Sequence, residues 1–468
     1  MESHKEKFIE FLLSTGALIL SDKSLKSKRL SPYFVNTGGF NDGASVTRLG
    51  EAYADTILAN KVDLDLVFGP AYKGVPLVIT TSMALAAKNN NVGWVFDRKE
   101  AKVHGEATGA DLQQQILVGS KIKDGSRVVI LDDVITTGGT KYEALELLTR
   151  MAKDVSIPAL VIAVDRQEVG IDGASAIEAF TAQTKVPVHS IVTSTEIMNY
   201  LKSKPDFAEA AQRMENYLRV YGTLAARSQF SPLEQRVIAR DRSIIPACDV
   251  ETLEQFEKLV EQTASVDGIG GYKLGFGLGL RYGLPRVVEV ARKHTTKPLI
   301  YDHQKAGTDI PDTGKDFAKL NKEAGIDTVI LFPQAGPETE RAWIYHARDH
   351  GLKVIVGGRM THPAYATSEG GFIADEGALA MYRIAAQAGV TDFVVPGNKP
   401  DVIAQVKETV MTEGVKEPIF YAPGFVAQGG KIDDAAKIAG SKFHGIVGRG
   451  IYTAKDMRLA AIEHSQNL

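Results

Sequence analysis

The chain has 468 residues, 44% of them apolar and 24% charged, with a formal net charge of −3. That composition is near the average of soluble globular proteins and excludes a disordered chain, a collagen and a disulfide scaffold, while the length predicts two or three domains of about 100–250 residues. There is no global basic field for nucleic acid, and no apolar run approaches the roughly 20 residues of a membrane span. The single cysteine, Cys248, rules out an intrachain disulfide and suits a reducing compartment. The N-terminal stretch Met1–Lys7 is charged and lacks a signal-peptide core, so a cytosolic protein is expected. The 44 glycines suggest many tight turns and close backbone approaches to ligands.

In the first 200 residues strands and helices alternate irregularly. Strands are predicted at Leu64–Phe68, Gly93–Phe96, Arg127–Leu131 and Ala159–Val164, which points to an open α/β sheet. A polar helical stretch, Pro205–Val220, leads to Tyr221-Gly222. The boundary is placed there, giving one domain over 1–222 and another over 230–468, joined by a short linker. Beyond it, short apolar runs recur at near-regular intervals: Ile244–Asp249, Gly271–Gly275, Pro298–Asp302, Thr328–Phe332, Lys353–Gly357, Asp392–Pro396, Ile419–Pro423 and Phe443–Val447. Such runs suit strands buried on both faces. Charged segments of helical period, such as Pro285–Lys293 and Gly314–Ala324, separate them. Eight repetitions predict a closed (β/α)8 barrel, with an open doubly wound sheet as the alternative.

Two constellations carry chemistry. In Val128–Thr140 an apolar strand ends in Asp132 and Asp133, followed by Thr136, Thr137, Gly138, Gly139 and Thr140 at the start of a helix. Backbone amides at a helix N-terminus, with threonine hydroxyls beside them, form an anion cradle, and the paired carboxylates suit sugar hydroxyls. An ordinary capped turn is the plainer reading. Upstream, Arg98, Lys99, Lys102 and His104 gather cationic groups between a strand and a glycine-bearing stretch, as a lid over an anion would. A solvated charged face is the plainer reading there. In the second half, Asp249, Lys273, Asp302, Lys305 and Asp309 place alternating charges at the C-terminal ends of predicted barrel strands, where barrel chemistry lies. Ordinary salt bridges are the alternative.

The Val128–Thr140 motif resembles the phosphoribosyl-pyrophosphate signature of type I phosphoribosyltransferases. Further segments resemble orotate phosphoribosyltransferase: Leu25–Phe34, with Lys26, Tyr33 and Phe34, is similar to its orotate-binding segment, and Phe68–Pro76, with Tyr72 and Lys73, to its pyrophosphate loop. Asp97–Glu106 is similar to its mobile catalytic loop, and Asp165–Glu168, with Arg166, to the segment that contacts the orotate carboxylate. The resemblance implies catalysis by Lys102, His104 and Asp133. It also implies Mg2+ carried mainly by phosphoribosyl pyrophosphate rather than by a protein cage.

The second half resembles orotidine 5′-phosphate decarboxylase. Ala247–Asp249 is similar to its first-strand signature, Lys273 stands at its second-strand lysine, and Asp302–Pro311 is similar to its catalytic segment. Met360–Pro363, with Thr361, is similar to its pyrimidine-contacting turn, and Pro423–Gly430, with Gln428, and Gly448-Arg449-Gly450 to its phosphate gripper. One departure stands out. The family spacing Asp-x-Lys-x-x-Asp is longer by one residue in each gap here, at Asp302, Lys305 and Asp309. Residues i and i+3 of a regular strand face opposite ways, so convergence of Asp302 and Lys305 requires a bulge or a strand that has already ended. His303 is the rival for a site role.

The resemblance implies decarboxylation without a cofactor. Asp302 presses on the substrate carboxylate, Lys305 protonates the ring carbon and Lys273 holds Asp302. Asp249 and Asp309 bind ribose, Asp309 from a partner subunit, and Gln428, Gly448 and Arg449 bind phosphate. Together the halves imply conversion of orotate and phosphoribosyl pyrophosphate to orotidine 5′-phosphate and then to UMP, in a homodimer or larger homo-oligomer, with no nucleic-acid or membrane partner. Two rivals are a phosphoribosyl-pyrophosphate-sensing regulator and a Mg2+-dependent barrel lyase or aldolase.

Overall fold

The computed structural model describes residues 3–25, 27–99, 113, 115–135, 139–170, 173–230, 236–303, 309–425, 432–466 and 468. The chain divides into two compact units, Met1–Gln229 and Phe230–Leu468. The short helix Leu224–Arg227, beyond the expected domain end at 222, belongs to the first of them. Among the described residues no helix is long and apolar enough to cross a membrane.

After an N-terminal helix, Ser3–Ser14, the first unit forms two small antiparallel pairs: β1 (Leu18–Ile19) with β4 (Phe34–Val35), and β2 (Lys23–Ser24) with β3 (Leu30–Ser31). Its main sheet contains β5 (Leu66–Gly69), β6 (Gly93–Asp97), β7 (Leu117–Gly119), β8 (Val128–Asp132), β9 (Leu160–Asp165) and β10 (Val188–Thr193). The strand order is β10-β9-β8-β5-β6-β7, parallel throughout except for the antiparallel β6/β7 pair. The central strands are buried along almost their whole length because helices cover both faces, which is why Val128–Leu131 and Leu160–Val164 read as unbroken apolar runs. Order runs outward in both directions from the adjacent β5 and β8. In open α/β sheets ligands bind in the crevice at such a switch point, outside the carboxyl ends of the strands.

The second unit is a barrel of β11 (Arg242–Pro246), β12 (Tyr272–Gly275), β13 (Leu299–Asp302), β14 (Thr328–Leu331), β15 (Lys353–Gly357), β16 (Asp392–Val394), β17 (Ile419–Ala422) and β18 (Phe443–Val447). All seven ladders are parallel, and β11 meets β12 through bridges at Ile244–Ile269 and Ala247–Lys273, which close the ring. Its interior is filled by Ile245, Ile300, Ile330, Ile355, Val394 and Ile446 among others. Packing there leaves no room for a further carbon. A Cβ on Gly357 would sit 2.3 Å from the Phe332 ring.

Asp392, first residue of β16, is 1% exposed and accepts hydrogen bonds from Tyr421 and Thr391, each 2.7 Å. Burial pushes its carboxyl up to about 6, against the two hydroxyls that pull it down. The folded protein thus holds this proton more tightly than the unfolded chain, whose carboxyl has the ordinary value of 3.8. The stability so contributed is whole below about pH 4 and is lost as pH rises through about 6. Asp392→Asn removes this titration. Calorimetry of both proteins should show the melting temperature of the wild type, relative to the variant, falling from pH 4 to pH 7. A constant difference would contradict the assignment.

Candidate functional sites

The first site forms at the β5/β8 switch point. After β5 the chain turns through Pro70–Lys73 so tightly that a Cβ on Gly69 would lie 2.6 Å from the Gly74 carbonyl oxygen, and one on Gly74 would lie 2.3 Å from the Gly69 carbonyl carbon. The Ala71 amide donates to Asp97 Oδ1, 2.5 Å away, which ties this turn to the end of β6. The turn carries Tyr72, 76% exposed, and Lys73. Across the switch point β8 ends at Asp132, and Asp133 follows it; both are buried. Lys73 Nζ reaches Asp133 Oδ2 at 2.7 Å, and Thr37 donates to the same oxygen at 2.9 Å. Lys141 Nζ reaches Asp132 Oδ2 at 2.6 Å. Tyr53 donates to the Asp132 carbonyl at 2.7 Å.

Burial works to raise both carboxyls. For Asp132 it wins, against the opposing pull of Lys141. For Asp133 the Lys73 ammonium, the Thr37 hydroxyl and the Val134 amide together outweigh burial and hold it below the ordinary carboxylate range. Gly139 and Thr140 open the helix Gly139–Thr149 and are exposed beside the carboxylates' strand.

A second cluster lies at the end of neighbouring β9. The Arg166 guanidinium sits 4.4 Å over the Tyr33 ring, 2.6 Å from Glu168 and 3.0 Å from Ser31 Oγ. Burial opposes the charge on Arg166, but Tyr33, Glu168 and Tyr217 outweigh it and hold the guanidinium above its usual value. Tyr33 also hydrogen-bonds Ser194 at 2.7 Å. Phe34 is half-buried in β4. Arg98 and Lys99 are exposed just past β6, and the Arg98 amide donates to the Ile116 carbonyl at 2.7 Å. The two stems of the expected lid are therefore joined by the β6/β7 pairing.

In the barrel a cavity of about 320 Å³ opens at the C-terminal ends of the strands. Sites for small ligands begin near this size. Asp249, Lys273, Asp302, Thr361, Gly448 and Arg449 line it. Lys273 pairs with Ile300 across the β12/β13 ladder, and Asp302, two residues on, shares the Ile300 face. Both charged groups therefore point inward. Lys273 Nζ lies 3.2 Å from Asp302 Oδ2 and 3.6 Å from Asp249 Oδ1. Burial works to lower the Lys273 ammonium, yet the Asp302 and Asp249 carboxylates outweigh it and raise it. β13 ends at Asp302, so strand alternation does not govern the residues after it. His303 is exposed and hydrogen-bonds Tyr301 instead of lining the cavity. Asp309 is exposed and also outside the lining.

Of the expected site residues, Lys26, Lys102, His104, Thr136, Thr137, Gly138, Lys305 and Gln428 lie outside the described residues. Sequence reasoning missed Lys141, Thr37 and Glu168 in the first unit. In the barrel it missed Arg359, which lines the cavity, is 6% exposed, and pairs with Asp375 at 2.7 Å and Glu369 at 3.8 Å. The available signals were a charge two residues after the apolar run of β15, and a lysine in register with the apolar face of a helix. A larger concavity of about 810 Å³ is lined by Arg236, Arg240, Asp241, Arg242 and Ser441, around the start of β11. Its arginines are taken up by Asp241, Asp267 and backbone carbonyls.

Lys273→Met withdraws an ammonium from the buried Asp302 carboxylate, and breaking such a pair costs about 3–5 kcal/mol. A lower unfolding midpoint for the barrel is expected, partly recovered by adding Asp302→Asn. Denaturant titration that shows Lys273→Met unfolding with the wild type would exclude this role.

Comparison with known proteins separates the two halves. Residues 43–184 match the phosphoribosyl transferase domain family, and residues 242–463 match the orotidine 5′-phosphate decarboxylase / HUMPS family. The orotate phosphoribosyltransferase of Hamiltonella defensa subsp. Acyrthosiphon pisum is 40% identical over 225 residues, covering 48% of this chain and 98% of the relative. That of Nitrosococcus oceani is 40% identical over 223 residues, covering 47% and 97%. Among solved structures, the orotate phosphoribosyltransferase of Francisella tularensis is similar at 33% identity and a TM-score of 0.40, covering 46% of this chain and 100% of that one. The orotidine 5′-monophosphate decarboxylase of Methanocaldococcus jannaschii, complexed with the inhibitor BMP, is similar at 28% identity and a TM-score of 0.43, covering 49% and 99%.

Proposed function

Since the chain belongs to the orotate phosphoribosyltransferase family through its first unit and carries a barrel of the orotidine 5′-phosphate decarboxylase / HUMPS family in its second, we infer that it is a bifunctional enzyme of pyrimidine synthesis. The first unit joins orotate to phosphoribosyl pyrophosphate and releases pyrophosphate. The second decarboxylates the resulting orotidine 5′-phosphate to UMP and CO2. What carries the reading is the presence in one chain of two family domains whose reactions follow one another.

The residue roles are our proposal. In the transferase, Asp132 and Asp133 receive the ribose hydroxyls, Lys73 and Tyr72 meet the pyrophosphate, and Arg166 beside Tyr33 takes the orotate carboxylate. Lys26 and Phe34 complete the orotate segment. Arg98, Lys99, Lys102 and His104 close over the leaving pyrophosphate, where negative charge grows in the transition state. Thr136, Thr137, Gly138, Gly139 and Thr140 cradle the 5′-phosphate. The site offers two carboxylates, each engaged by a lysine, which fits Mg2+ held mainly by the oxygens of phosphoribosyl pyrophosphate. Mg2+ bound there would supply positive charge against the pyrophosphate, beside Lys73 and the carboxylates.

In the barrel, Asp302 sits against the substrate carboxylate, Lys305 supplies the proton to the ring carbon as CO2 departs, and Lys273 fixes Asp302. Asp249 binds ribose, Thr361 the pyrimidine, and Gln428, Gly448 and Arg449 the phosphate. No cofactor is required. Asp309, exposed and outside the cavity lining, serves the site of a second subunit in a homodimer. Phe276, Leu280 and Ile310, exposed on the segments after β12 and β13, supply apolar surface for that contact. The composition and the single buried cysteine suit the cytoplasm.

Incubation with orotate, phosphoribosyl pyrophosphate and Mg2+ should yield UMP by chromatography. Lys102→Ala should abolish transfer and spare decarboxylation of supplied orotidine 5′-phosphate, whereas Lys305→Ala should leave that intermediate to accumulate. Equal loss of both activities in either variant would contradict two separate sites. Decarboxylation should survive EDTA, since inhibition would favour a Mg2+-dependent lyase or aldolase of the barrel's superfamily.

A further inference from the structure

The two adjacent carboxylates at the end of β8 are held by unlike lysines. Asp133 Oδ2 meets Lys73, whose side chain is 71% exposed on the turn after β5. Asp132 Oδ2 meets Lys141, whose side chain is 8% exposed. Lys141 lies in the first turn of the helix Gly139–Thr149, and its buried residues are Lys141, Ala144 and Leu148. That spacing sets the ammonium stem on the face packed against the sheet, where only an apolar side chain or a paired charge is tolerated. The second oxygen of each carboxylate is also taken by a backbone amide: Asp133 N donates to Asp132 Oδ1 and Val134 N to Asp133 Oδ1, each at 2.8 Å.

We propose that Lys141 is a positioning residue of the transferase site, a fixed counter-charge that holds the Asp132 carboxyl group in place and aimed at the ribose hydroxyls of phosphoribosyl pyrophosphate. Lys73 is by contrast an exchangeable counter-charge. It is solvated enough to leave Asp133 when an anion with more charge arrives. Lys141 is packed too deeply to follow, so arrival of the pyrophosphate frees Asp133 and leaves Asp132 paired. Each carboxylate oxygen has two lone pairs, so a paired Asp132 still accepts a hydroxyl in a fixed direction. The charged groups around Asp132 are Lys141, Asp133 and, beyond it, Lys73, while Tyr53 donates to the Asp132 carbonyl. Lys141 is thus the fixed ammonium in contact with Asp132 among the described residues. The proposal rests on the transferase reading.

The test is steady-state transfer by Lys141→Met, Asp132→Asn and the double variant, using the full chain. Methionine keeps the apolar stem and removes the charge. Lys141→Met should raise the KM for phosphoribosyl pyrophosphate about tenfold or more while the KM for orotate and kcat move little, the signature of binding lost equally in the ground and transition states. If Lys141 acts through Asp132, the double variant should bind phosphoribosyl pyrophosphate as Asp132→Asn alone does. Multiplying penalties would overturn the proposal, as would an unchanged KM in Lys141→Met. Should the single variant lose its front unit to unfolding, the double variant decides: its uncharged pair should restore folding, with the KM of Asp132→Asn, and any higher KM counts against the proposal. Decarboxylation of supplied orotidine 5′-phosphate monitors the barrel throughout. A wild type that consumes no phosphoribosyl pyrophosphate overturns the transferase reading itself, a result distinct from any of these.

Discussion

A carboxylate at the buried end of a parallel strand keeps its charge only when a cation is held against it, because desolvation favours the neutral acid. Both units meet that condition with lysine. Asp132 has Lys141, Asp133 has Lys73 and Asp302 has Lys273, at 2.6, 2.7 and 3.2 Å. The counter-ions set what each carboxylate can do. A lysine on an exposed turn can be drawn away by a polyanionic substrate. One buried on a helix face or inside a barrel strand cannot, and it turns its partner into a fixed acceptor. The same residue pair thus occurs in two settings that differ in exposure: Lys73 is largely exposed, whereas Lys141 and Lys273 are buried.

The strands that occupy sheet centres were legible along the chain. All eight barrel strands fall on the predicted apolar runs, and β5, β6, β8 and β9 fall within a residue or two of theirs. A strand covered on both faces must be apolar at every position, and that pattern needs no partner to be recognised. The edge strands β7 and β10 escaped. Leu117–Gly119 is too short to show a period, and Val188–Thr193 mixes His189, Ser190 and Thr193 with its apolar residues because an edge is only partly covered.

The sites were legible unevenly. Asp132, Asp133, Asp249, Lys273 and Asp302 end or interrupt apolar runs, and a charge there stands out against its neighbours. Lys141 on the apolar face of its helix and Arg359 two residues past β15 show the same contrast more weakly, since neither ends a strand. Their importance comes from what faces them. The Asp375 and Glu369 carboxylates that hold Arg359 come from a later loop and helix, and Lys399 joins that group through Glu369 at 2.6 Å.

Periodicity therefore specified the layers of this protein, because burial on both faces is a local demand that every residue of a strand must satisfy. Which charges would neutralise one another was decided by folding alone. Lys273, Asp249 and Asp302 meet because β11, β12 and β13 are consecutive in a closed ring, and Lys73 and Asp133 meet because β5 and β8 are neighbours across a change in strand order. Coulombic contact acts over a few ångströms of space, and distance along the chain places no limit on it.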